Sequence, residues 1–388
     1  MNFLTQAQRD FSWICDLRRT FHRHPEHGNQ EFETAETIEA ALRGLGLAPR
    51  RLLDTAVICD IEGALPGPMV ALRADMDALP IAEETGLPYA SQVPGMMHAC
   101  GHDFHMAAVL GAAKLLLAHR AELAGRVRLL FQPDEELQGG AKRMMDAGCL
   151  EGVAAVFGAH VRPDLPVGQV GVRYGAFYAA SNPFSISLTG RASHGAEPDL
   201  GADALVAGAQ VVLALQSIVS RRVAPTDTAV ITVGTFRAGT QENILAEHAE
   251  MQGILRTFGE ENRKKLTAAV EAVVENTARA MGVQAETRFT WGYPGILNHS
   301  GATALVERAA RALLGDSRVT VLDKPTLTTE DFGYFLQAVP GCFYHMGVGG
   351  DAPLHASHFC PDEAALPTLA ALHAQVAWMA LGQLTIRD

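Results

Sequence analysis

Apolar positions along the chain follow two spacings in turn. Residues 1–48 carry a helical pattern, clearest over 34–47, where Ile38, Leu42 and Leu45 share one face and Gly44 and Gly46 lie near its end. Short β-type runs follow at 56–61 and 69–73, then a Pro/Gly-rich loop over 80–101. The Ala/Leu-rich stretch 106–117 predicts a helix, 127–131 a strand, 141–147 a helix and 154–159 a buried strand. Strands alternating with helices predict an α/β domain built on a mostly parallel sheet.

The middle of the chain changes rhythm. Residues 183–188 (PFSISL) alternate strictly, and 203–220 place Leu205, Ala209, Val212 and Leu215 near a 3.6-residue period. Residues 228–236 and 248–255 look extended, 260–280 forms a long amphipathic helix and 284–291 a strand. The order β-α-β-β-α-β is the split βαβ, or ferredoxin-like, pattern. The α/β pattern then resumes with a helix at 302–314, a strand at 319–322 and a final helix at 364–381. The expected organisation is one α/β domain made of residues 1–180 and 292–388, interrupted by an inserted split-βαβ domain at 181–291.

Composition narrows the class. The 388 residues are 48% hydrophobic, which fits two folded domains and excludes a mainly disordered chain. Net charge is −12 with no basic stripe, which argues against nucleic acid as a partner. No charge-free run of 18 apolar residues occurs and the start lacks a signal-peptide pattern, so no membrane span is expected and the location expected is cytoplasmic. Six scattered cysteines without a CxxC pair read as reduced thiols, Cys100 excepted.

The candidate chemistry lies in five short stretches. His98-Ala-Cys-Gly-His-Asp-Phe-His105 offers Cys100 and His102 as transition-metal ligands in a loop that Gly101 lets turn. Asp75 and Asp77, in RADMDALP, can fix the tautomer of a ligating histidine or remain solvated turn carboxylates. QPDEE places Glu135 and Glu136 at a strand's carboxyl end, where one can bind metal and the other act as general base; a helix-capping role for these acids is compatible. His160 ends a buried strand, and either His355 or His358 can reach a site from the loop Pro353-Leu-His-Ala-Ser-His358. These donors exceed the need of one tetrahedral ion and suit two divalent ions, with Zn, Mn, Co or Ni favoured by thiolate and imidazole softness. Two rivals are a thiol hydrolase, with Cys100 as nucleophile and His102 or His160 as base, and a non-catalytic metal- or ligand-binding module.

The stretches FHRHPEHGNQEFETAETI, RADMDALP, MHACGHDFHMA, FQPDEE, GAHV, GRASHGAEP, GILRTF, TTEDFGYF and LHASHF run in order over nearly the whole chain. Together they resemble the zinc-metallopeptidase family of aminoacylase, carboxypeptidase and allantoate amidohydrolase relatives. The likeness is greatest to its branch of hippurate hydrolases, N-acyl-amino-acid amidohydrolases and auxin-conjugate hydrolases. The resemblance implies Cys100, His102, Glu136, His160 and His355 as metal ligands and Glu135 as general base. It implies His194 at the reacting carbonyl and Asn243 and Arg256 at the substrate. It further implies hydrolysis of N-acyl amino acids to a carboxylic acid and an amino acid, and a homodimer or higher oligomer formed through the inserted lid domain. The chain departs from the branch pattern at Asp134, where Ala is usual, at NILAE (243–247) in place of NVIPD, and at Ala-Ser-His after His355 in place of Ser-Pro and a variable residue. No implied ligand is lost.

Overall fold

Four parallel strands make the centre of the larger sheet: Ala124–Gln132, Leu65–Asp75, Val153–Arg162 and Gly341–Gly347, in that spatial order. Their inner residues, such as Val70, Leu72, Leu129, Val156 and Phe343, are fully buried, as expected for strands covered on both faces. Val57–Glu62 and Arg50–Arg51 extend one side antiparallel, Val170–Val172 pairs antiparallel on the other, and Val319–Val321 lies parallel to it, giving an eight-stranded mixed sheet. The computed structural model describes residues 2–385.

The helix His102–Leu117 lies against Leu65–Asp75 and is buried almost all round. The C-terminal helix Leu366–Thr385 packs beside it, with Phe3–Arg9, Phe11–Arg23 and Ser300–Leu314 as further neighbours. Phe104, Leu110, Leu369 and Leu372 exclude solvent there, each burial contributing roughly 1.5–3 kcal/mol. The helix begins at His102, a turn earlier than the apolar pattern predicts, because its first turn is spent on polar side chains and its all-round burial leaves no amphipathic signal.

The chain up to Gly175, Leu297–Lys324 and the chain from Asp331 onward form one compact unit; Ala176–Ile296 and Pro325–Glu330 form a second, beside expected joints near 180 and 292. In the second unit the sheet order is Gln284–Phe289, Ala180–Thr189, His248–Thr257, Ala229–Ala238, all antiparallel: the fourth, first, third and second strands of a ferredoxin-like fold. Strict alternation puts Phe184, Ile186 and Leu188 into the core and Ser185 and Ser187 outside. Ala204–Arg222, capped by the Asp203 carboxylate on Leu205 N–H and Val206 N–H, packs with Glu260–Ala280 over that core.

Elements without a counterpart in the apolar pattern include Val170–Val172, Gly175–Tyr178, the short helix Gly333–Ala338 and the central strand Gly341–Gly347. The last is bracketed by Pro340 and by Gly347, Gly349 and Gly350, which mark a loop locally, yet the strand is buried throughout. Among the described residues, two helices, Ala204–Arg222 and Glu363–Gln383, are long and apolar enough to cross a membrane by length and composition; each packs within its own unit, the second mostly buried.

Glu31 ends the turn before the helix Phe32–Gly44 and is fully buried. It accepts from Thr55 Oγ1 at 2.8 Å and from Asp134 N–H at 2.9 Å. Burial pushes its carboxyl up to about 7, above the value it has in an unfolded chain. A folded-state value above the unfolded one gives stability that is complete below about pH 4 and is lost as pH rises through about 7, on the order of 3 kcal/mol in full. Glu31→Gln keeps an acceptor for Asp134 and a donor for Thr55. Urea midpoints from pH 5 to 8 are expected to fall for the wild type relative to this variant; parallel profiles would remove Glu31 from this role.

Candidate metal centre

The parallel strands deliver the polar residues. Asp75 ends Leu65–Asp75, the segment after Ala124–Gln132 carries Glu135 and Glu136, His160 lies near the end of Val153–Arg162, and the loop beyond Gly341–Gly347 carries His355. Carboxyl ends of parallel strands share one edge of a sheet, so residues distant in sequence meet there. Cys100 and His102 arrive on the turn into His102–Leu117. Gly101 between them has φ 87°, and a Cβ on it would lie 2.4 Å from Val161 Cγ2, so glycine is required twice over.

Cys100 Sγ lies 3.3 Å from His160 Nε2 and 3.3 Å from His355 Nε2. Glu136 Oε1 is 3.3 Å from His355 Nε2 and 3.8 Å from His102 Nε2. Ligand atoms thus gather as Cys100–His102–His160 and as Cys100–Glu136–His355, two groups sharing one sulfur, and Glu135 joins His102 and Glu136 in a third. His355 reaches the cluster from a left-handed backbone at φ 66°, and His358 belongs to none of these ligand groups.

Hydrogen bonds fix the imidazoles. His102 Nδ1–H donates to the Asp77 carbonyl at 2.8 Å with the Asp77 carboxylate 3.2 Å away, and His160 Nδ1–H donates to the Val161 carbonyl at 2.7 Å. Both Nε2 atoms therefore face the cluster, the orientation that ligating histidines adopt. His102 Nε2 and Glu136 Oε1 are buried without a hydrogen-bond partner. Two orphaned buried polar atoms facing each other across a soft N/S/O ligand set fit a pair of divalent transition-metal ions.

The acids of the cluster hold protons on the groups beside them. Burial, then Glu136 and Glu135, hold the Cys100 thiol well above its usual range. Burial disfavours charge on His102, but Asp75 and Asp77 overcome it and carry the imidazole up to about 10. The pocket is negative and attracts cations. Behind it, Asp75 accepts from His105 Nδ1–H at 2.6 Å and from Arg73 Nη1 at 2.6 Å, and His105 Nε2 accepts from Val161 N–H at 3.0 Å. Arg73 also donates to Gln132 Oε1 and to Asp331 Oδ1, both at 2.9 Å. Asp331 in turn accepts from Gln132 Nε2 at 2.7 Å and from Ala141 N–H at 2.9 Å. Sequence reasoning missed His105, Gln132 and Asp331, since their partners are 30 to 258 positions away.

Three predicted residues belong to the second unit. His194 and Asn243 are exposed on adjoining segments, joined where Gly195 N–H donates to the Asn243 carbonyl at 2.8 Å. Arg256, on His248–Thr257, is half-buried; its Nη1 is buried with no hydrogen-bond partner, and burial lowers its pKa.

An α/β sheet with its ionisable cluster at the strand carboxyl ends defines an enzyme-like architecture. The chain belongs to the peptidase family M20/M25/M40, whose family model matches residues 71–379. It is 42% identical over 91% of its length to an N-acetyl-L-cysteine deacetylase of Bacillus subtilis, covering 84% of that protein. It is 36% identical over 97% of its length to an IAA-amino acid hydrolase of Arabidopsis thaliana, covering 88% of that protein. Its fold matches the crystal structure of a dinuclear metal-binding peptidase of the M20 family from Bacillus subtilis with TM-score 0.87 and 37% identity, over 97% of this chain and 99% of that one.

Asp331→Asn turns an amide N–H toward groups that all donate to Asp331. A buried ion pair broken on one side loses about 3–5 kcal/mol, so a marked fall in the urea midpoint is expected; a loss under about 1 kcal/mol would show that Asp331 is dispensable to the network.

Proposed function

We propose that this protein is a metal-dependent amidohydrolase that cleaves N-acyl amino acids, hippurate-like compounds among them, to a carboxylic acid and a free amino acid. The observation that carries this reading is the pair of ligand groups sharing Cys100, with Glu135 beside them. Cys100, His102, Glu136, His160 and His355 would hold two ions of the Zn, Mn, Co or Ni type. Bound there, the ions polarise the amide carbonyl and acidify water.

The chain's own residues supply the rest. The Glu135 carboxylate takes a proton as water attacks the amide carbonyl carbon, then passes it to the leaving nitrogen as the C–N bond breaks. Asp331 N–H, 3.4 Å from Glu135 Oε1, orients that carboxylate. His194 donates to the developing oxyanion, and Asn243 and Arg256 bind the substrate, the unpaired Arg256 guanidinium taking its free carboxylate. The printed names of the relatives, a deacetylase of N-acetylcysteine and a hydrolase of IAA-amino acids, support an N-acyl amino acid as substrate. The thiol-hydrolase alternative is disfavoured, because it leaves Glu135, Glu136 and His355, which gather with Cys100 and His102, without a role.

A homodimer through the second unit completes the proposal. Ala229–Ala238 is an edge strand whose Phe236 is exposed, and Leu205, Val206 and Leu213 of the adjacent helix are exposed as well. Leu213→Glu with Phe236→Glu is expected to halve the mass seen by sedimentation equilibrium; an unchanged mass would refute this interface.

The activity is tested with N-acetyl, N-benzoyl and indole-acyl amino acids, using chelated protein to which Zn, Mn, Co or Ni is returned. Chelation is expected to abolish turnover and metal to restore it. Glu135→Gln should lower kcat by about 10²–10⁴-fold while still binding metal. Full activity in chelator, or wild-type turnover by this variant, would overturn the reading.

A further inference from the structure

The segment that delivers Glu135 and Glu136 turns on one buried residue. Asp134 has φ 59°, a left-handed conformation that Asn and Asp enter more readily than other L residues. Its carbonyl accepts from Gly139 N–H and Gly140 N–H, both at 3.0 Å, and its own N–H donates to Glu31 Oε1 at 2.9 Å. Its Oδ2 accepts from Asn29 Nδ2 at 2.6 Å, with Arg143 Nη1 3.8 Å away. Its Oδ1 fills the space beside Gly28, where a Cβ would come within 2.4 Å of it. One residue thereby ties the turn carrying both glutamates to the segment between the helices Phe11–Arg23 and Phe32–Gly44. Two residues on, Glu136 N–H donates to Asp77 Oδ2 at 2.9 Å, so the two glutamates are fastened on both sides.

We propose that Asp134 is a positioning residue, whose left-handed backbone and bond to Asn29 hold the turn so that Glu135 and Glu136 present their carboxylates to the cluster. Alanine at this position adopts the same backbone only under strain and has no acceptor for Asn29. Asparagine tolerates the backbone and keeps the acceptor. The inference rests on the hydrolase reading for what the two glutamates do, and its test separates the two ideas.

Asp134→Ala, Asp134→Asn and Asn29→Gly are compared in three measurements: kcat and KM on an N-acyl amino acid, Zn affinity of the apo-protein by competition with a chromophoric chelator, and thermal midpoint. Outer partners of metal sites are typically worth about 10–100-fold. Asp134→Ala is accordingly expected to lose about tenfold in kcat, in Zn affinity or in both, with KM little changed. Asp134→Asn should recover most of the loss. Asn29→Gly keeps the left-handed backbone of Asn29, φ 65°, while removing its amide from Asp134; it should move the same quantities in the same direction, so the test survives poor folding of Asp134→Ala. Wild-type kcat and Zn affinity in Asp134→Ala, whatever its thermal midpoint, would overturn the proposal, as would an asparagine variant equally impaired. If the wild type hydrolyses no N-acyl amino acid, the proposed activity fails, and Zn competition across the three variants still decides the role of Asp134.

Discussion

One sulfur fixes the arrangement of everything around it. Cys100 Sγ is 3.3 Å from both His160 and His355, and it is the one ligand atom common to the groups Cys100–His102–His160 and Cys100–Glu136–His355. Its position follows from Gly101, whose left-handed φ and contact with Val161 let the chain turn into the helix at His102. His355 is tied to the same turn by its own N–H, which donates to the Ala99 carbonyl at 2.9 Å. A side chain at 101 would displace the sulfur, the first turn of the helix and the His355 loop together.

Concentrating acids in a buried place raises its electrostatic cost, and the surrounding protein offsets it with charge and with donors. Asp75 is held ionised, well below the usual carboxylate range, because His102, Arg73 and His105 outweigh its burial. Arg73 is shared between Asp75 and Asp331. In the first turn of the same helix, Asp103 forms an ion pair with Arg18 at 2.7 Å and accepts from His22 Nδ1–H at 2.8 Å, and His22 reaches on to Glu83. Truncating one member leaves its partner buried and unpaired, so these networks set geometry more than they add net stability.

Periodicity made the second unit legible: its strands alternate and its helices are amphipathic, so six elements and their order followed from the chain alone. The central sheet of the first unit was harder to see. Gly341–Gly347 is buried on both faces and hemmed by glycine, which erases alternation, although it pairs with the strand that bears His160. At the candidate site, residue types in short motifs pointed to Cys100, His102, Glu136, His160 and His355, which the fold brings together. The partners that orient them stayed hidden, because Asp331 reaches Arg73 from 258 residues away and no local spacing encodes that. Asp77 shows a subtler limit: its backbone carbonyl, which no sequence motif distinguishes, makes the shorter contact to His102.

Where this chain departs from the pattern it resembles, the fold supplies a local replacement. Ser357 stands where the branch often has proline, which would stiffen the loop after His355 by fixing φ. Here the Ser357 hydroxyl donates to Glu84 Oε2 at 2.6 Å and Glu84 N–H donates back to the Ser357 carbonyl at 2.8 Å, a two-point link that restrains the same loop. Asp134 likewise replaces a small apolar residue and brings Asn29 as its partner. In both cases the residue that departs from the resembled pattern, next to a ligand-bearing loop, makes a hydrogen bond to a distant segment. Variation of this kind acts on the supports of the cluster and leaves its donor atoms alone.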